Sequence, residues 1–189
     1  MDAALEEAEH RPTAIDGLWV LRPKTVGDDR GAIRELFRAS TFEGAGLALE
    51  RPWAQMNLTE TRRGAVRGLH GETMTKLVGV VAGAAFGAYV DARPVSATFG
   101  QVATVELTRG VQVLVPAGVC NGFQSISDEP SQYLYCFTDE WRPGMAGTAV
   151  NAFDPDLAIA WPIGVDPEDR AMVSAKDAAL PPLRSLGDG

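Results

Sequence analysis

The chain is poor in the side chains that most often build metal and disulfide sites. Its 189 residues include only two histidines and two cysteines. Two thiols, Cys120 and Cys136, cannot form a disulfide framework or a cysteine-rich zinc site, and both are expected in the core. A reducing cytoplasm is therefore the predicted compartment. His10 lies in a polar N-terminal segment, so His70 is the one histidine in the body of the chain.

Positive charge and long apolar segments are also lacking. The 17 Lys and Arg residues against 25 Asp and Glu give a formal net charge of -8. Such a chain offers nucleic acid no general basic surface, although a local Arg/Lys cluster can still bind a small anion. The longest apolar run, residues 77–90, is broken by glycines and too short to span a bilayer, and the acidic N-terminus has no signal-peptide core. We predict neither a nucleic-acid nor a membrane partner.

Short runs rich in β-branched and aromatic residues, separated by Gly, Pro and Asp turns, predict an all-β sandwich or barrel. These runs are LWVLRP, RPWAQMNLTET, AVRGL, TKLVGVVA, AAFGAYVDAR, QVATVELTR, GVQVLVP, FQSIS and QYLYCFT. AIRELFRASTF is expected to form a strand and then a short helix, DPDLAIAW a strand, and SAKDAALPPL a short helix. Residues 1–13 are expected to form a flexible tail, 14–183 a single domain and 184–189 a C-terminal tail, with the few helices mainly C-terminal.

The spacing of four polar residues resembles the paired motifs of the cupins, which are jelly-roll proteins. Metal-binding cupins carry His, His, Glu and His at positions that are occupied here by His70, Glu72, Lys76 and Asn121. A lysine ammonium would repel a divalent cation, and an asparagine amide is a weak ligand. The spacing therefore predicts the fold and argues against a transition-metal site.

His70 is a candidate general base, because an imidazole without a metal titrates near neutral pH. A buried structural histidine is the alternative. Arg67 and Lys76 flank it in sequence, and several cations directed at one barrel interior favour an anionic ligand. Gly68 and Gly71 are expected to leave room for that ligand.

Several longer segments occur in an order that is similar to one known family. RGLH with KLV after it, VDAR before SATFG, VPAGVCNGF, YLYCFTDEW, DPDLAIAWP and SAKDA resemble the dTDP-4-dehydrorhamnose 3,5-epimerases over about residues 15–183. The resemblance implies a cupin-type jelly-roll fold, a homodimer, and a site that uses neither metal nor cofactor. It also implies an isomerase that inverts C3, C5 or both in a nucleoside-diphospho-4-keto-6-deoxy sugar.

The chemistry of that inversion explains the residue types that match the family. The ketone acidifies the neighbouring C–H groups, a base forms the enolate, and an acid returns a proton to the opposite face. By resemblance, His70 is the base, Asp177 holds its ring, Tyr135 is the acid, and Lys76 lies near the keto oxygen. Tyr135 could instead be an ordinary strand aromatic, and Asp177 could merely cap a helix.

The resemblance also implies a set of binding residues. Arg67 matches the arginine that meets the diphosphate, for which a guanidinium is suited. Asp91 and Arg93 fit a structural ion pair as well as a functional one. The remaining matched positions are Arg30 and Glu35, in a segment that reaches the ligand in part from the partner subunit, and Gln55, Asn57, Asn121 and Trp141.

Four departures from the family pattern leave the substrate open. RGLHGE replaces RGLHxQ with a shorter loop after it, Ile33 replaces an aromatic residue, Asn121 replaces the histidine of HGF, and Trp141 replaces a tyrosine. The short loop and Asn121 are similar to epimerases of GDP-linked 4-keto-6-deoxy-heptoses, and Asn121 could limit inversion to one carbon. Two further alternatives are a non-catalytic cupin that binds a sugar nucleotide and a metal-dependent cupin oxygenase or isomerase.

Overall fold

The computed structural model describes residues 4–186, and antiparallel strands dominate it. The strands are β1 (Ala4–Glu6), β2 (Glu9–Pro12), β3 (Trp19–Arg22), β4 (Thr25–Asp28), β5 (Gly31–Arg34), β6 (Gln55–Thr61), β7 (Val66–Glu72), β8 (Lys76–Ala82), β9 (Ala85–Asp91), β10 (Val102–Leu107), β11 (Gln112–Val115), β12 (Val119–Ser125), β13 (Ser131–Phe137) and β14 (Gly147–Ala149). The helices are α1 (Ala39–Gly44), α2 (Ala175–Ala178), and the 3-10 helices Pro155–Leu157 and Leu183–Leu186.

Two large sheets and one small sheet organise these strands. The six-stranded sheet has the order β2-β3-β11-β8-β13-β6, and the five-stranded sheet has the order β10-β9-β12-β7-β14. A separate three-stranded sheet has the order β1-β4-β5. Sequence neighbours often lie in opposite large sheets, as β7 and β8 do, so the chain crosses repeatedly between two layers.

The main core fills the space between the two large sheets. Val78 and Val113 from the six-stranded sheet and Leu107 from the five-stranded sheet are almost fully buried in one cluster. Phe123 and Tyr133, from opposite sheets, stack with ring centroids 3.9 Å apart. Each large apolar side chain buried in this way contributes roughly 1.5–3 kcal/mol to folding. This core fixes the distance between the two sheets.

The outer faces of both large sheets are also covered. The C-terminal segment packs Leu157 and Leu183 onto Leu69 of β7. On the other side, Phe42 of α1 packs beside Leu77 of β8. The prediction of an all-β sandwich with a few short helices is confirmed.

Two predictions about local structure are wrong. The N-terminal segment, expected to be a flexible tail, contributes β2, which pairs with β3, and β1, which pairs with β4. Backbone pairing at free sheet edges forms these strands, although their side chains are mostly exposed and polar. DPDLAIAW forms no strand, because the Asp154 side chain accepts from the Asp156 amide at 3.1 Å and starts the 3-10 helix Pro155–Leu157.

The predicted C-terminal tail, residues 184–189, is described by the structure only in part. Residues 184–186 belong to the last 3-10 helix, whereas 1–3 and 187–189 lie outside the described residues. In the part of the chain that the structure describes, no helix has the length and apolar character needed to cross a bilayer.

Candidate active site

A polar cavity of about 440 Å³ opens between the two large sheets. It has the size of an ordinary small-ligand site. Strands β7 and β12 of one sheet and β6, β8 and β13 of the other supply most of its wall, and α2 supplies one side chain. The lining residues are Asn57, Thr59, Arg67, Gly68, His70, Glu72, Lys76, Asn121, Tyr135, Phe137, Trp141 and Asp177.

A bulge in β7 turns Arg67 and His70 to the same face. His70 pairs with Asn121 of β12, but Arg67 pairs with Phe123, so the register slips by one residue between them. Regular alternation would put residues three apart on opposite faces, and the extra residue cancels that difference. Both side chains line the cavity as a result.

The glycines around His70 allow close strand packing, which corrects the expectation that they leave room for a ligand. Gly68 has φ +121°, and a Cβ there would lie 2.5 Å from the Gly122 Cα. A Cβ at Gly71 would lie 3.0 Å from the Cys120 Sγ. Only glycine fits the first position, so the bulge depends on Gly68.

His70 and Asp177 form a hydrogen-bonded pair at the cavity wall. His70 Nε2 lies 2.9 Å from Asp177 Oδ1, and the second carboxylate oxygen is 3.5 Å from the Gly68 amide nitrogen. The Ser174 side chain caps α2 by accepting from the Asp177 amide at 3.0 Å, which fixes the helix turn carrying the carboxylate. Burial raises the pKa of Asp177, but the hydrogen bonds from His70 and Gly68 outweigh it, so the pKa lies below its usual value. The carboxylate is therefore ionised beside the imidazole at neutral pH.

Lys76 is buried at the start of β8 with every ammonium proton engaged. Its Nζ donates to the His70 carbonyl at 3.1 Å and also to the Glu72 carboxylate and the Asn121 Oδ1. An ammonium has three donors, so these contacts use them all. Its side chain is 2 % exposed and that of Glu72 is 21 % exposed. Glu72 is thus its most accessible partner.

Tyr135 faces the cavity from β13, in the sheet opposite His70. Its ring packs against Tyr133 with centroids 4.7 Å apart, and Tyr133 in turn stacks on Phe123. Burial raises the pKa of the Tyr135 hydroxyl well above its usual value of 10.0. The phenol therefore stays protonated over the whole physiological range and can donate.

The predicted binding residues divide between the cavity and its rim. Asn57, Arg67 and Trp141 line the cavity, and Arg67 Nε donates to the Thr61 hydroxyl at 2.8 Å. Gln55 lies just outside, where its side chain accepts from the Trp141 amide at 2.7 Å and donates to the Asn57 Oδ1 at 3.1 Å. Gln55 therefore positions two lining residues.

Arg30 and Glu35 lie away from this cavity. Arg30 follows β4 and pairs with Asp28 at 2.6 Å, with its own side chain 90 % exposed. Glu35 follows β5, pairs with Arg38, and borders a different cavity. The chain by itself does not bring these two residues to the other predicted site residues.

Four lining residues were not among the predicted site residues, and one of them is Gly68 of the bulge. Thr59 lies two positions after Asn57 on β6, and Phe137 lies two positions after Tyr135 on β13. The period of two in strands was the signal that could have identified them. Glu72, two positions after His70, was noted only as a cupin-motif position.

Asp91 and Arg93 form a structural network outside the cavity. Asp91 is fully buried and accepts from Arg93, Ser96 and Thr98, the closest contact being 2.5 Å to Thr98. Burial raises the pKa of Asp91, but these hydrogen bonds lower it far below its usual value. The pair therefore has the structural role that its spacing allowed.

Cys120 and Cys136 are buried free thiols, as predicted.

Among residues 4–186, no group of three His, Cys, Asp or Glu side chains is placed to hold a metal ion. At the cavity position where metal-binding cupins carry a glutamate ligand, this chain has the positively charged Lys76.

Comparisons with known proteins agree with this geometry. The sequence profile described as dTDP-4-dehydrorhamnose 3,5-epimerase matches residues 12–185. An enzyme of that name from Salmonella typhimurium is 36% identical over 177 residues, which cover 90% of this chain and 93% of the relative.

Two solved structures share the fold. The dTDP-6-deoxy-D-glucose-3,5-epimerase of Legionella pneumophila, in complex with dTDP-4-keto-L-rhamnose, has a TM-score of 0.84 and 34% identity, and the match covers 94% of each chain. A 3'-monoepimerase from Streptomyces bikiniensis, in complex with dTDP-quinovose, has a TM-score of 0.82 and 33% identity, covering 92% of this chain and 87% of the other. The cupin-type jelly-roll prediction is confirmed, and the chain belongs to the dTDP-4-dehydrorhamnose 3,5-epimerase family.

Proposed function

We propose that this chain is a metal-independent epimerase that inverts C3, C5 or both in a dTDP-linked 4-keto-6-deoxy sugar. One observation carries the proposal: His70 and Tyr135 face the same cavity from opposite sheets. Inversion through an enolate needs a base on one face of the sugar and an acid on the other. Two opposed side chains on rigid strands meet that need.

His70 removes the proton from the carbon next to the ketone. Because Asp177 accepts from Nε2 at 2.9 Å, the neutral ring carries its proton there and leaves the Nδ1 lone pair as the base. As the ring takes up a second proton, the ionised Asp177 stabilises the imidazolium. The carboxylate also fixes the ring orientation.

Lys76 stabilises the negative charge that develops on the keto oxygen. The ammonium acts in a buried setting, where such an interaction is stronger than in water. The keto oxygen takes the N–H that is directed at Glu72 in the free protein, since Glu72 is the accessible acceptor. Enolate formation thus exchanges one acceptor of Lys76 for another.

Tyr135 completes the inversion by donating its phenolic proton to the opposite face of the enolate. The raised pKa keeps this hydroxyl protonated until the enolate forms. The lysine and the arginine of the cavity serve different parts of the substrate: Arg67 binds the diphosphate, and Lys76 lies at the sugar. Asn57, Asn121 and Trp141 contact the sugar or the nucleotide.

The relatives favour dTDP over GDP as the nucleotide. The solved neighbours bind dTDP-4-keto-L-rhamnose or dTDP-quinovose, and the Salmonella typhimurium relative is named for a dTDP substrate. The neighbours include a double epimerase and a monoepimerase at nearly equal identity, so inversion at one carbon and inversion at two both fit the family. A non-catalytic cupin is less well supported, since the acid, base and cation positions are all retained.

We also propose that the chain forms one cytoplasmic epimerase domain that works as a homodimer, with residues 14–183 as its body and the N-terminal strands β1 and β2 paired at its sheet edges. Exposed apolar side chains support the dimer: Ile33 is 78% exposed on β5, and Met56 and Leu58 are 63% and 56% exposed on β6, an edge strand. In such a dimer, Arg30 and Glu35 act at the partner's cavity. Light scattering after gel filtration should give twice the 20.1 kDa chain mass, and the mass of one chain would refute the dimer.

Solvent isotope exchange tests the catalytic proposal. The protein is incubated in D₂O with dTDP-4-keto-6-deoxyglucose, and deuterium at C3 and C5 is measured by mass spectrometry and NMR against an enzyme-free blank. We expect deuterium at one or both carbons with the wild type and a loss of at least about 10²-fold with His70→Ala. No exchange above the blank with the folded wild-type protein would refute the epimerase assignment.

A further inference from the structure

One fully apolar side chain lies in the wall of the polar cavity. Phe137, the last residue of β13, lines the cavity together with His70, Lys76 and Tyr135 and is 6% exposed. Gly68 aside, it is the one side chain without a polar atom among the lining residues that the structure describes. The proposed proton transfers use the polar groups around it and assign no role to Phe137.

The neighbouring strands fix the position of this ring. Phe137 pairs with Lys76 of β8 on one side and with Gln55 of β6 on the other. Residues paired in this way share one face of the sheet, with Cβ atoms about 4.5–5.5 Å apart, so the phenyl ring lies beside the Lys76 side chain. The Tyr135 ring is nearly parallel to it, with ring centroids 5.8 Å apart. Phe137 is therefore next to both the cation and the acid of the proposed mechanism.

We propose that Phe137 recognises the C6 methyl group of the substrate and so makes the cavity selective for 6-deoxy sugars. This inference rests on the proposed function, because a sugar bound with its ketone at Lys76 is what brings C6 to the ring. A 4-keto-6-deoxy sugar has one apolar substituent, the methyl group on C5. Burying a methyl group against a phenyl ring is favourable, whereas a hydroxymethyl group there would lose hydrogen bonds to water.

The two ends of the cavity give the sugar a direction that agrees with this contact. Arg67 Nε donates to the Thr61 hydroxyl at one end of β6, and Phe137 pairs with Gln55 at the other end. These two ends of β6 are six positions apart, or about 20 Å along the strand. In a pyranose ring, C4 lies opposite C1, the carbon that carries the diphosphate. A diphosphate at Arg67 therefore directs C4 and its neighbour C5 toward Lys76 and Phe137.

The adjacent positions of Lys76 and Phe137 match adjacent atoms of the sugar. C4 carries the keto oxygen and is bonded to C5, which carries the methyl group, and the two residues are direct partners across β8 and β13. Contacts at the diphosphate and the keto oxygen hold the ring at C1 and C4 but leave it free to turn about the axis between them. A third contact, between Phe137 and C6, fixes that rotation.

Three unreactive sugar nucleotides that differ only in the group on C5 test the recognition. This group is a methyl in dTDP-6-deoxyglucose, a hydrogen in dTDP-xylose and a hydroxymethyl in dTDP-glucose. Titration calorimetry gives the Kd of the wild type for each compound. We expect the methyl compound to bind at least about 10-fold more tightly than either of the others, which is the lower end of the effect of one methylene group in an apolar pocket.

Phe137→Leu and Phe137→Asn assign the preference to this side chain. The two replacements have nearly the same branched shape, but leucine keeps an apolar contact and asparagine does not. We expect the preference for dTDP-6-deoxyglucose over dTDP-glucose to stay above about fivefold in Phe137→Leu and to fall below about threefold in Phe137→Asn. Phe153→Asn is the matched control, because Phe153 is partly buried in the cluster on the outer face of the five-stranded sheet. Thermal unfolding checks that each variant is folded.

A measurement on the wild type keeps the test decisive if Phe137→Asn does not fold. With dTDP-6-deoxyglucose bound, we expect a nuclear Overhauser effect between the C6 methyl protons and the ring protons of Phe137. The ring signals are assigned by their loss in Phe137→Leu.

The outcomes separate this inference from the proposed function. Equal affinity for the three compounds, an undiminished methyl preference in folded Phe137→Asn, or no Overhauser effect at Phe137 with the ligand bound would overturn the inference. A wild type that binds none of the three compounds would also overturn it. A wild type that shows the methyl preference and the Overhauser effect but exchanges no deuterium would overturn only the epimerase proposal.

Discussion

Replacing Asp177 by asparagine should cost activity through the charge state of His70. The substitution keeps the shape of the side chain and its place beside Nε2, 2.9 Å from the carboxylate oxygen. It removes the negative charge that stabilises the imidazolium formed on proton abstraction. The asparagine amide can also donate to Nε2, which would shift the ring proton to Nδ1 and occupy the base.

The size of the charge effect follows from the distance between the two groups. Two unit charges about 4 Å apart interact by roughly 4 kcal/mol at an effective dielectric constant of about 20. The His70 side chain is 34% exposed, so solvent screening reduces this value, and we take about half of it. A barrier higher by about 2 kcal/mol slows the reaction about 30-fold. The tautomer change adds to this loss, so 30-fold is the lower bound.

The assay is single-turnover deuterium incorporation, with kcat and KM measured in parallel. We expect kcat to fall at least about 30-fold for Asp177→Asn, with KM within about twofold, because the change acts after substrate binding. Asp128→Asn is the matched control, since that side chain is 98% exposed. If folded Asp177→Asn keeps a kcat within about threefold of the wild type, the orienting and charge-stabilising role of Asp177 is refuted.

Three other substitutions test separate features. Tyr135→Phe should keep deuterium exchange on the His70 face but lower product formation about 10²-fold, as measured by product stereochemistry; unchanged inversion would exclude Tyr135 as the acid. Asp91→Asn should destabilise the fold by about 3 kcal/mol at pH 7. Folding lowers the pKa of Asp91 below 3.8, so the stability that the ionised carboxylate contributes is present above that pH and is lost as the pH falls further. Denaturant titrations should therefore show the free energies of unfolding of the wild type and Asp91→Asn drawing closer below pH 4. Gly68→Ala should lower the melting temperature markedly, since its Cβ would lie 2.5 Å from the Gly122 Cα; an unchanged value would contradict the described bulge.

Local patterns predicted most strands correctly, because side-chain alternation records which face is buried. In β10, Val105 and Leu107 are buried while Thr104 and Glu106 are exposed, as the alternation in QVATVELTR indicates. The same rule fails where the backbone departs from regular pairing. The bulge in β7 depends on the register with β12, which no single segment encodes, so the common orientation of Arg67 and His70 could not be read from spacing.

Sequence patterns alone could not predict contacts between residues that are far apart in the chain. Asp177 meets His70 across 107 residues of chain, and only the family resemblance joined them. The polar N-terminal strand β2 was missed because strands formed by edge pairing need few apolar side chains. The reverse error occurred at DPDLAIAW, where an Asp cap and Pro155 override the apolar content of the segment. Arg30 and Glu35 show the limit of the resemblance, since one chain alone does not place them at the cavity.

A crystal structure with an unreactive dTDP-sugar in the cavity would test the central claim most directly. The account predicts that the His70 ring contacts one face of the sugar at C3 or C5, that the Tyr135 hydroxyl lies on the opposite face, and that Lys76 Nζ lies within hydrogen-bond distance of the oxygen on C4. A sugar with both side chains on the same face, or bound outside this cavity, would contradict it.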